Sequence, residues 1–167
     1  MPARRILLLG NPKLYAQSDP VSREELGEVN AIVEDLHDTL MEFRNEWGAG
    51  RAIAAPQIGE FKRTVYVNID EPVVLFNPKI VDRSKEMIEL WDDCMSFPHL
   101  LVKVKRHRRI TVEYRDTDWK RIRAEYTDDE SELLQHEIDH LNGLLATQRA
   151  LDSKSFALRS QRDLLQQ

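Results

Sequence analysis

Two histidines separated by three residues give the clearest chemical signal in this sequence. Residues 134–141 read Leu-Gln-His-Glu-Ile-Asp-His-Leu and contain the pattern His-Glu-x-x-His. On a helix, His136 and His140 lie on one face, about 6 Å apart along the axis, where two neutral imidazoles can bind one divalent transition metal. Glu137 lies beside them and is placed to act on a water bound to that metal. The alternative is an accidental pattern on a solvated face, which the flanking leucines disfavour because they predict a buried helix.

A metal that takes part in hydrolysis needs a third protein ligand and one coordination position open to water. The chain beyond His140 offers Asp152 and Asp163 but no further histidine. Upstream, residues 92–98 contain Cys94, the only cysteine of the chain. A lone cysteine is more often a small buried apolar residue, but a thiolate is also a strong ligand for Zn²⁺ or Fe²⁺. Cys94 is therefore the candidate third ligand.

Two of the predicted helices flank the predicted strands, and the second of them carries the histidine pair. Thr127 is a candidate N-cap for the histidine-bearing helix, and the acids at residues 128–130 suit the positive end of its dipole. Apolar residues spaced three and four apart predict a longer helix over residues 24–47, with Ser22 as its N-cap. His37 on that helix is interpreted as structural because no partner motif surrounds it.

Short segments between the two helices are typical of strands. Asn77-Pro78 interrupts one of them, which is therefore predicted to be an edge strand or a bulged strand. A polar amphipathic segment over residues 153–165 predicts a C-terminal helix that serves packing or assembly. The order helix, strands, helix predicts an α+β fold. The predicted strands cover residues 64–69, 73–81, 87–91, 100–104, 109–114 and 119–126.

The composition is that of a globular chain, and the length suggests a single domain over residues 1–167, with 41% hydrophobic and 32% charged residues. A net charge of −5 argues against direct nucleic-acid binding. No apolar stretch approaches the ~20 residues that a membrane span needs, and the apolar run at residues 6–9 is too short for a signal peptide. A single cysteine excludes an internal disulfide, so the reducing cytoplasm is the expected compartment.

Three stretches, in this order along the chain, resemble the motifs of the peptide deformylase family. Residues 50–57, Gly-Arg-Ala-Ile-Ala-Ala-Pro-Gln, resemble Gly-x-Gly-φ-Ala-Ala-x-Gln (φ is apolar), with Ala52 at the second glycine. Residues 92–96, Asp-Asp-Cys-Met-Ser, resemble Glu-Gly-Cys-Leu-Ser, and residues 135–141 match Gln-His-Glu-x-Asp-His-Leu in full. The opening segment at residues 8–21 is also similar, so the resemblance covers nearly the whole chain.

The resemblance implies a fold and a reaction. The expected fold has antiparallel β-sheets packed around a central metal-binding helix, with a long N-terminal helix and a C-terminal helix. The expected reaction removes the N-formyl group from the N-terminal formylmethionine of newly made polypeptides and releases formate. Family members use Fe²⁺ physiologically and also work with Ni²⁺, Co²⁺ or, less well, Zn²⁺. N-formylmethionyl peptides are the expected partners, and the C-terminal helix is interpreted as either a ribosome contact or a solvated packing helix.

The resemblance also implies residue roles at the matching positions. Glu137 would be the general base and acid, while the Gln57 amide and the backbone N–H of Met95 would hold the oxyanion. Arg106 would pair with Asp92 and orient the loop of the metal-binding cysteine, unless it is a surface residue of a basic strand. The expected site residues are Cys94, His136 and His140 for the metal; Glu137, Gln57 and Met95 for catalysis; Gly50, Arg51, Ala52 and Met95 for substrate binding; and Asp92 and Arg106 behind the ligands.

Four departures from the family pattern bear on substrate preference. Asp93 replaces a motif glycine, Asp92 shortens a glutamate by one methylene, and Ala52 replaces a glycine whose backbone faces the peptide. Residues 130–133, Glu-Ser-Glu-Leu, stand where the family has apolar residues that line the methionine pocket. Glu132 lies on the same helix face as the first histidine, and an acid does not suit a methionine side chain.

Three other functions remain as alternatives to the interpretation as a deformylase. The first is a deformylase-like metallohydrolase that acts on a different N-acyl substrate, which the acidic pocket residues favour. The second is a non-catalytic binding module that keeps the fold and the metal site; the presence of Glu137 and Gln57 argues against it, since neither is needed to bind metal. The third is an ordinary zinc peptidase, disfavoured by the missing downstream ligand.

Overall fold

Two antiparallel sheets are the framework of the chain, of which the structure, a computed structural model, describes residues 3–165. The larger sheet has five strands in the order β1-β2-β3-β6-β7, and the smaller has three in the order β4-β5-β8. All the predicted strands form; β1 and β8 are additional to them. The strands are β1 Ala52–Ala54, β2 Thr64–Asn68, β3 Pro72–Arg83, β4 Met87–Asp92, β5 Leu100–His107, β6 Arg109–Arg115, β7 Arg121–Thr127 and β8 Phe156–Leu158.

The long helix α1, Leu26–Trp47, is preceded by a single 3-10 turn. In that turn the backbone N–H of Ser22 donates to the Glu25 carboxylate at 2.8 Å. The helix ends at Gly48, whose φ of 66° is the left-handed conformation favoured at helix C-termini. The long N-terminal helix predicted over residues 24–47 is confirmed, with its start in 3-10 form.

Strand β3 is bulged where Asn77 precedes proline. Its pairing with β6 shifts register between Phe76 and Lys79, and Asn77 has a φ of 52°. The strand pairs with β2 on its other side, so it is an interior bulged strand rather than an edge strand. The Asn77 side chain accepts from the Val21 N–H and donates to the Val21 carbonyl, both at 2.8 Å. The bulge therefore anchors the segment that leads into α1.

Helix α2, Asp128–Leu141, carries the histidine pair and is buried from Ser131 onwards. Its Leu133, Leu134 and Ile138 pack in one cluster with side chains of the larger sheet. A helix buried on this scale needs partners for its polar side chains, because an unpaired polar group in the interior is unfavourable. The Gln135 amide illustrates this: it accepts from the His107 N–H at 3.0 Å and donates to the His107 carbonyl at 2.8 Å.

The C-terminal segment differs from the expected helix over residues 153–165. Residues 156–158 form β8, which pairs with the start of β5, and only Arg159–Leu164 is helical, in 3-10 form. Pairing satisfies the backbone groups on the edge of β5, and this tertiary contact outweighs the weak helical pattern of the segment. No helix within residues 3–165 combines the length and apolarity that crossing a bilayer requires.

Gly143, which follows α2, is expected to be intolerant of any side chain. It has a φ of 72°, and an added Cβ would lie 2.3 Å from the Tyr15 backbone oxygen. Because a backbone atom cannot move aside easily, Gly143→Ala is expected to lower the free energy of unfolding by about 2–4 kcal/mol in urea denaturation. Gly27→Ala in α1, where an added Cβ meets nothing within 4 Å, is the control and should not be destabilised. Equal unfolding midpoints for the two variants would contradict this packing.

Candidate metal centre

Three buried side chains bring their ligand atoms together between the two sheets. Cys94 lies in the turn after β4, and His136 and His140 lie on α2; their ligand atoms are all within 4.8 Å of one another. Cys94 Sγ is 3.4 Å from His140 Nε2, which is 3.2 Å from His136 Nε2. One thiolate and two imidazoles suit Zn²⁺ or Fe²⁺, and three protein ligands leave a coordination position for water or substrate. The residues present therefore fit a single divalent metal ion.

The surroundings of the two imidazoles shift their pKa values in opposite directions. Burial lowers the pKa of His140 well below its ordinary value, so its ring is neutral and carries a lone pair. His136 Nδ1 lies 2.8 Å from Asp92 Oδ2, and donation of the Nδ1 proton to this carboxylate directs Nε2 toward the metal position. Burial opposes ionisation of both Asp92 and His136, but their mutual attraction, with Arg106 beside Asp92, lowers the pKa of Asp92 and raises that of His136 well above its ordinary value. Metal binding at His136 therefore has to displace a proton from this ring.

Behind the ligands lies a connected series of ion pairs, buried at Arg106 and partly exposed at Arg149. Arg106 Nη2 donates to Asp92 at 3.0 Å, and its Nη1 donates to Asp139 at 2.7 Å. Asp139 also accepts from Arg149 Nε at 2.5 Å and Nη2 at 2.8 Å. Sequence reasoning paired Arg106 with Asp92 but missed Arg149, because nothing in its local sequence marks it. These connected ion pairs join three separate segments of the protein and fix the orientation of His136.

Gln57 is held rigidly beside the cysteine. It lies in a 3-10 turn after β1, and its Oε1 accepts from the Ala54 N–H at 2.9 Å. Its Nε2 therefore points the other way, 3.2 Å from Ser96 Oγ and 3.6 Å from Cys94 Sγ. An amide whose donor end is fixed next to the metal position can donate to an oxygen that carries developing negative charge.

The Glu137 carboxylate is buried, and one of its oxygens lacks a hydrogen-bond partner among residues 3–165. Its Oε2 is buried and makes no hydrogen bond to any atom of residues 3–165. Burial raises the pKa of Glu137 to about 7. A buried carboxylate with a free oxygen and a pKa near neutrality has the properties of a general base and acid.

A cleft of about 520 Å³ opens onto this centre. Its wall includes the residues expected to bind substrate, namely Gly50, Arg51, Ala52 and Met95, together with Gln57, Cys94, His136 and Glu137. His140 and Arg106 are buried and do not line the cleft. Asp93, at the motif glycine, also lines the cleft, and its carboxylate is 3.9 Å from Arg159 of the C-terminal 3-10 helix.

Comparison with known proteins agrees with the motifs and the fold. A family model described as polypeptide deformylase matches residues 3–156. The chain is 37% identical to peptide deformylase 2 of Vibrio vulnificus in an alignment of 150 residues, which covers 87% of this chain and 84% of that protein. The crystal structure of the peptide deformylase of Thermotoga maritima has a TM-score of 0.83 and 29% sequence identity, covering 91% of this chain and 100% of that one. The chain therefore belongs to the polypeptide deformylase family.

Proposed function

We propose that this chain is a metal-dependent peptide deformylase that removes the formyl group from the N-terminal formylmethionine of newly made polypeptides and releases formate. The observation that carries the proposal is the grouping of Cys94, His136 and His140 beside the buried carboxylate of Glu137, next to a cleft that Cys94, His136 and Glu137 line. This is the arrangement expected of a hydrolase in which three ligands hold a metal and a separate acid moves the proton.

Proton transfer is assigned to Glu137. A divalent metal on the three ligands supplies Lewis acidity, which makes water nucleophilic near neutral pH and polarises the formyl carbonyl. The Glu137 carboxylate accepts the proton of the attacking water and then delivers it to the leaving amine. Its free Oε2 and its pKa of about 7 suit both steps, since the group must lose and gain a proton in each cycle.

Oxyanion stabilisation is assigned to Gln57 and Met95. The Gln57 amide is oriented by the contact of its Oε1 with the Ala54 N–H, so its Nε2 can exchange the contact with Cys94 Sγ for one with the oxyanion. The backbone N–H of Met95, directly after the cysteine ligand, is the second proposed donor. Gly50, Arg51 and Ala52 border the same cleft and are proposed to bind the peptide. Asp92 and Arg106 are proposed to orient His136 and the cysteine turn.

The proposal also covers the identity of the metal, the cellular compartment and a contact with the ribosome. Fe²⁺ is the expected physiological metal, with Zn²⁺, Ni²⁺ or Co²⁺ able to replace it, because the mixed sulfur and nitrogen donor set accepts all four. Residues 1–167 are proposed to act as one catalytic domain in the cytoplasm, where newly made formylated chains arise. Contact with the ribosome is proposed for the exposed C-terminal 3-10 helix, Arg159–Leu164.

Formate release by anaerobically purified protein tests the proposal. Protein loaded with Fe²⁺ or Ni²⁺ is expected to release formate from formyl peptides with about one metal per chain. Absence of formate from every formyl peptide, at full metal content, would contradict the proposal and favour a non-catalytic binding module.

The Gln57 donor gives a separate prediction. Gln57→Ala is expected to lower kcat for formate release by about 10²–10³-fold with little change in KM, because the donor acts on charge that develops in the transition state. Gln148→Ala is the matched control: Gln148 also accepts from the backbone N–H three residues earlier, at 2.8 Å, but does not line the cleft. A similar loss of kcat in both variants would mean that the effect comes from disrupting a 3-10 turn and not from removing the Gln57 donor.

A further inference from the structure

The segment at residues 6–9 joins the two parts of the chain that carry the proposed oxyanion donors. The Leu7 N–H donates to the Gln57 carbonyl at 2.8 Å, and the Leu9 N–H donates to the Ser96 carbonyl, also at 2.8 Å. Gln57 carries one proposed donor in its side chain, and Ser96 directly follows the residue whose backbone N–H is the other. Two bonds from one short segment therefore hold both sides of the proposed oxyanion site.

We propose that the backbone N–H groups of Leu7 and Leu9 position the oxyanion donors, by setting the distance between the Gln57 amide and the Met95 N–H so that one oxygen can accept from both. This inference rests on the proposed deformylase function. It adds to that function two residues that neither line the cleft nor belong to the group of metal ligands.

The covalent chain alone does not fix the distance between the two donors. Gln57 lies in the 3-10 turn after β1, and Ser96 lies 39 residues later in the turn of the cysteine. The contact of 3.2 Å between Gln57 Nε2 and Ser96 Oγ joins the two turns through side chains that can rotate. The bonds from Leu7 and Leu9 instead hold the backbone from which the donors project. Backbone anchoring matters because a displacement of about 1 Å can cost about 10²-fold in rate.

The segment is itself anchored to the long helix α1. The Arg4 N–H donates to Thr39 Oγ1 at 2.9 Å, and the Arg4 guanidinium donates to Asp35 at 2.8 Å. Ile6 then packs against the buried cluster that contains Met95 and side chains of α1. The bonds of the segment to the two turns are therefore made from a fixed support.

A type II turn at the end of the segment allows one N–H to be removed selectively. The Asn11 N–H donates to the Leu8 carbonyl at 2.9 Å, and Gly10, the third residue of the turn, has a φ of 105°. In a turn of this type the second residue, here Leu9, has the φ that proline adopts. Leu9→Pro therefore removes the N–H and keeps the turn.

Kinetics of Leu9→Pro test the inference against Leu9→Ala, which loses the side chain but keeps the N–H. In metal-loaded protein, kcat for formate release from formyl-Met-Ala is expected to be at least about tenfold lower in Leu9→Pro than in Leu9→Ala. KM and metal content should agree within about twofold, because the donors act on charge that develops in the transition state. Leu8→Pro is the control for proline itself and should keep the wild-type kcat, since the Leu8 N–H donates to no atom of residues 3–165.

Three results would overturn the inference and leave the deformylase function intact. They are a smaller difference in kcat between the two Leu9 variants, an equal loss of kcat in Leu8→Pro, and a change in KM or metal content as large as the change in kcat. Absence of formate from the wild-type protein would overturn the function and the inference with it.

A double-mutant cycle between Leu7 and Gln57 tests the route of the effect, and it decides the question if Leu9→Pro does not fold. Leu7→Pro is expected to lower kcat at least about tenfold relative to Leu7→Ala when Gln57 is present. In the Gln57→Ala protein the same change should lower kcat less than about twofold, because a donor that is absent cannot be misplaced. A purely structural role would lower kcat by the same factor in both backgrounds, and that result overturns the inference.

Discussion

Replacement of Glu137 by glutamine is expected to lower kcat for formate release by about 10³-fold while the metal stays bound. The amide has nearly the shape of the carboxylate but cannot accept a proton from water at neutral pH, and positioned proton transfer contributes about 10²–10⁴-fold to rate. Since the three ligand atoms come from other residues, metal content should remain near one per chain. Steady-state kinetics and elemental analysis of the same preparation provide both values.

The control for Glu137 is an acid of the same helix that faces away from the cleft. Glu130→Gln removes one negative charge from an exposed position of α2, so kcat should change little. If metal-replete Glu137→Gln kept more than about a tenth of wild-type kcat, proton transfer would have to be assigned to another group.

Replacement of Cys94 by alanine is expected to remove the metal itself. The thiolate is the only negatively charged ligand of the three, and two imidazoles on one helix form an incomplete site. Metal content should fall to about a tenth of the wild-type value or less after dialysis, and formate release should fall with it. Mass spectrometry of the native protein distinguishes loss of metal from loss of fold, since unfolded chains show a higher charge distribution.

A histidine outside the centre serves as the control for metal loss. His37→Gln alters a ring whose Nδ1 lies 2.6 Å from the Tyr66 hydroxyl, away from the ligands, and should leave metal content unchanged. Full metal content in Cys94→Ala would contradict the assignment of the sulfur as a ligand and would revive the interpretation as an ordinary zinc peptidase with ligands elsewhere.

The grouping of Cys94 with the histidine pair could be predicted because ligand chemistry restricts residue types and helical geometry fixes the spacing. Few side chains bind transition metals, and the fourth residue after His136 lies on the same helix face whatever the rest of the fold does. The bulge at Asn77 could be predicted for a similar reason, since proline removes a ladder hydrogen bond locally.

The features that escaped prediction depend on contacts between distant segments. Glu132 was expected on the face of His136, but its partner Arg51 is 81 residues away and is brought to it by the packing of β1 against α2. Arg149 joins the buried charges through a turn that no periodicity marks. Strand β8 exists because β5 offers an edge, which a local pattern cannot reveal.

The wide spacing of the site along the chain has a consequence for biogenesis. Gln57 and Cys94 are 37 residues apart, and Cys94 and His140 are 46 apart. During synthesis Gln57 is made first, Cys94 next and the two histidines near the end. A partly translated chain that lacks the histidines therefore cannot bind the metal with all three ligands. High separation between contacting residues also slows folding. Until α2 has emerged, the sulfur is an unprotected thiol that is open to oxidation.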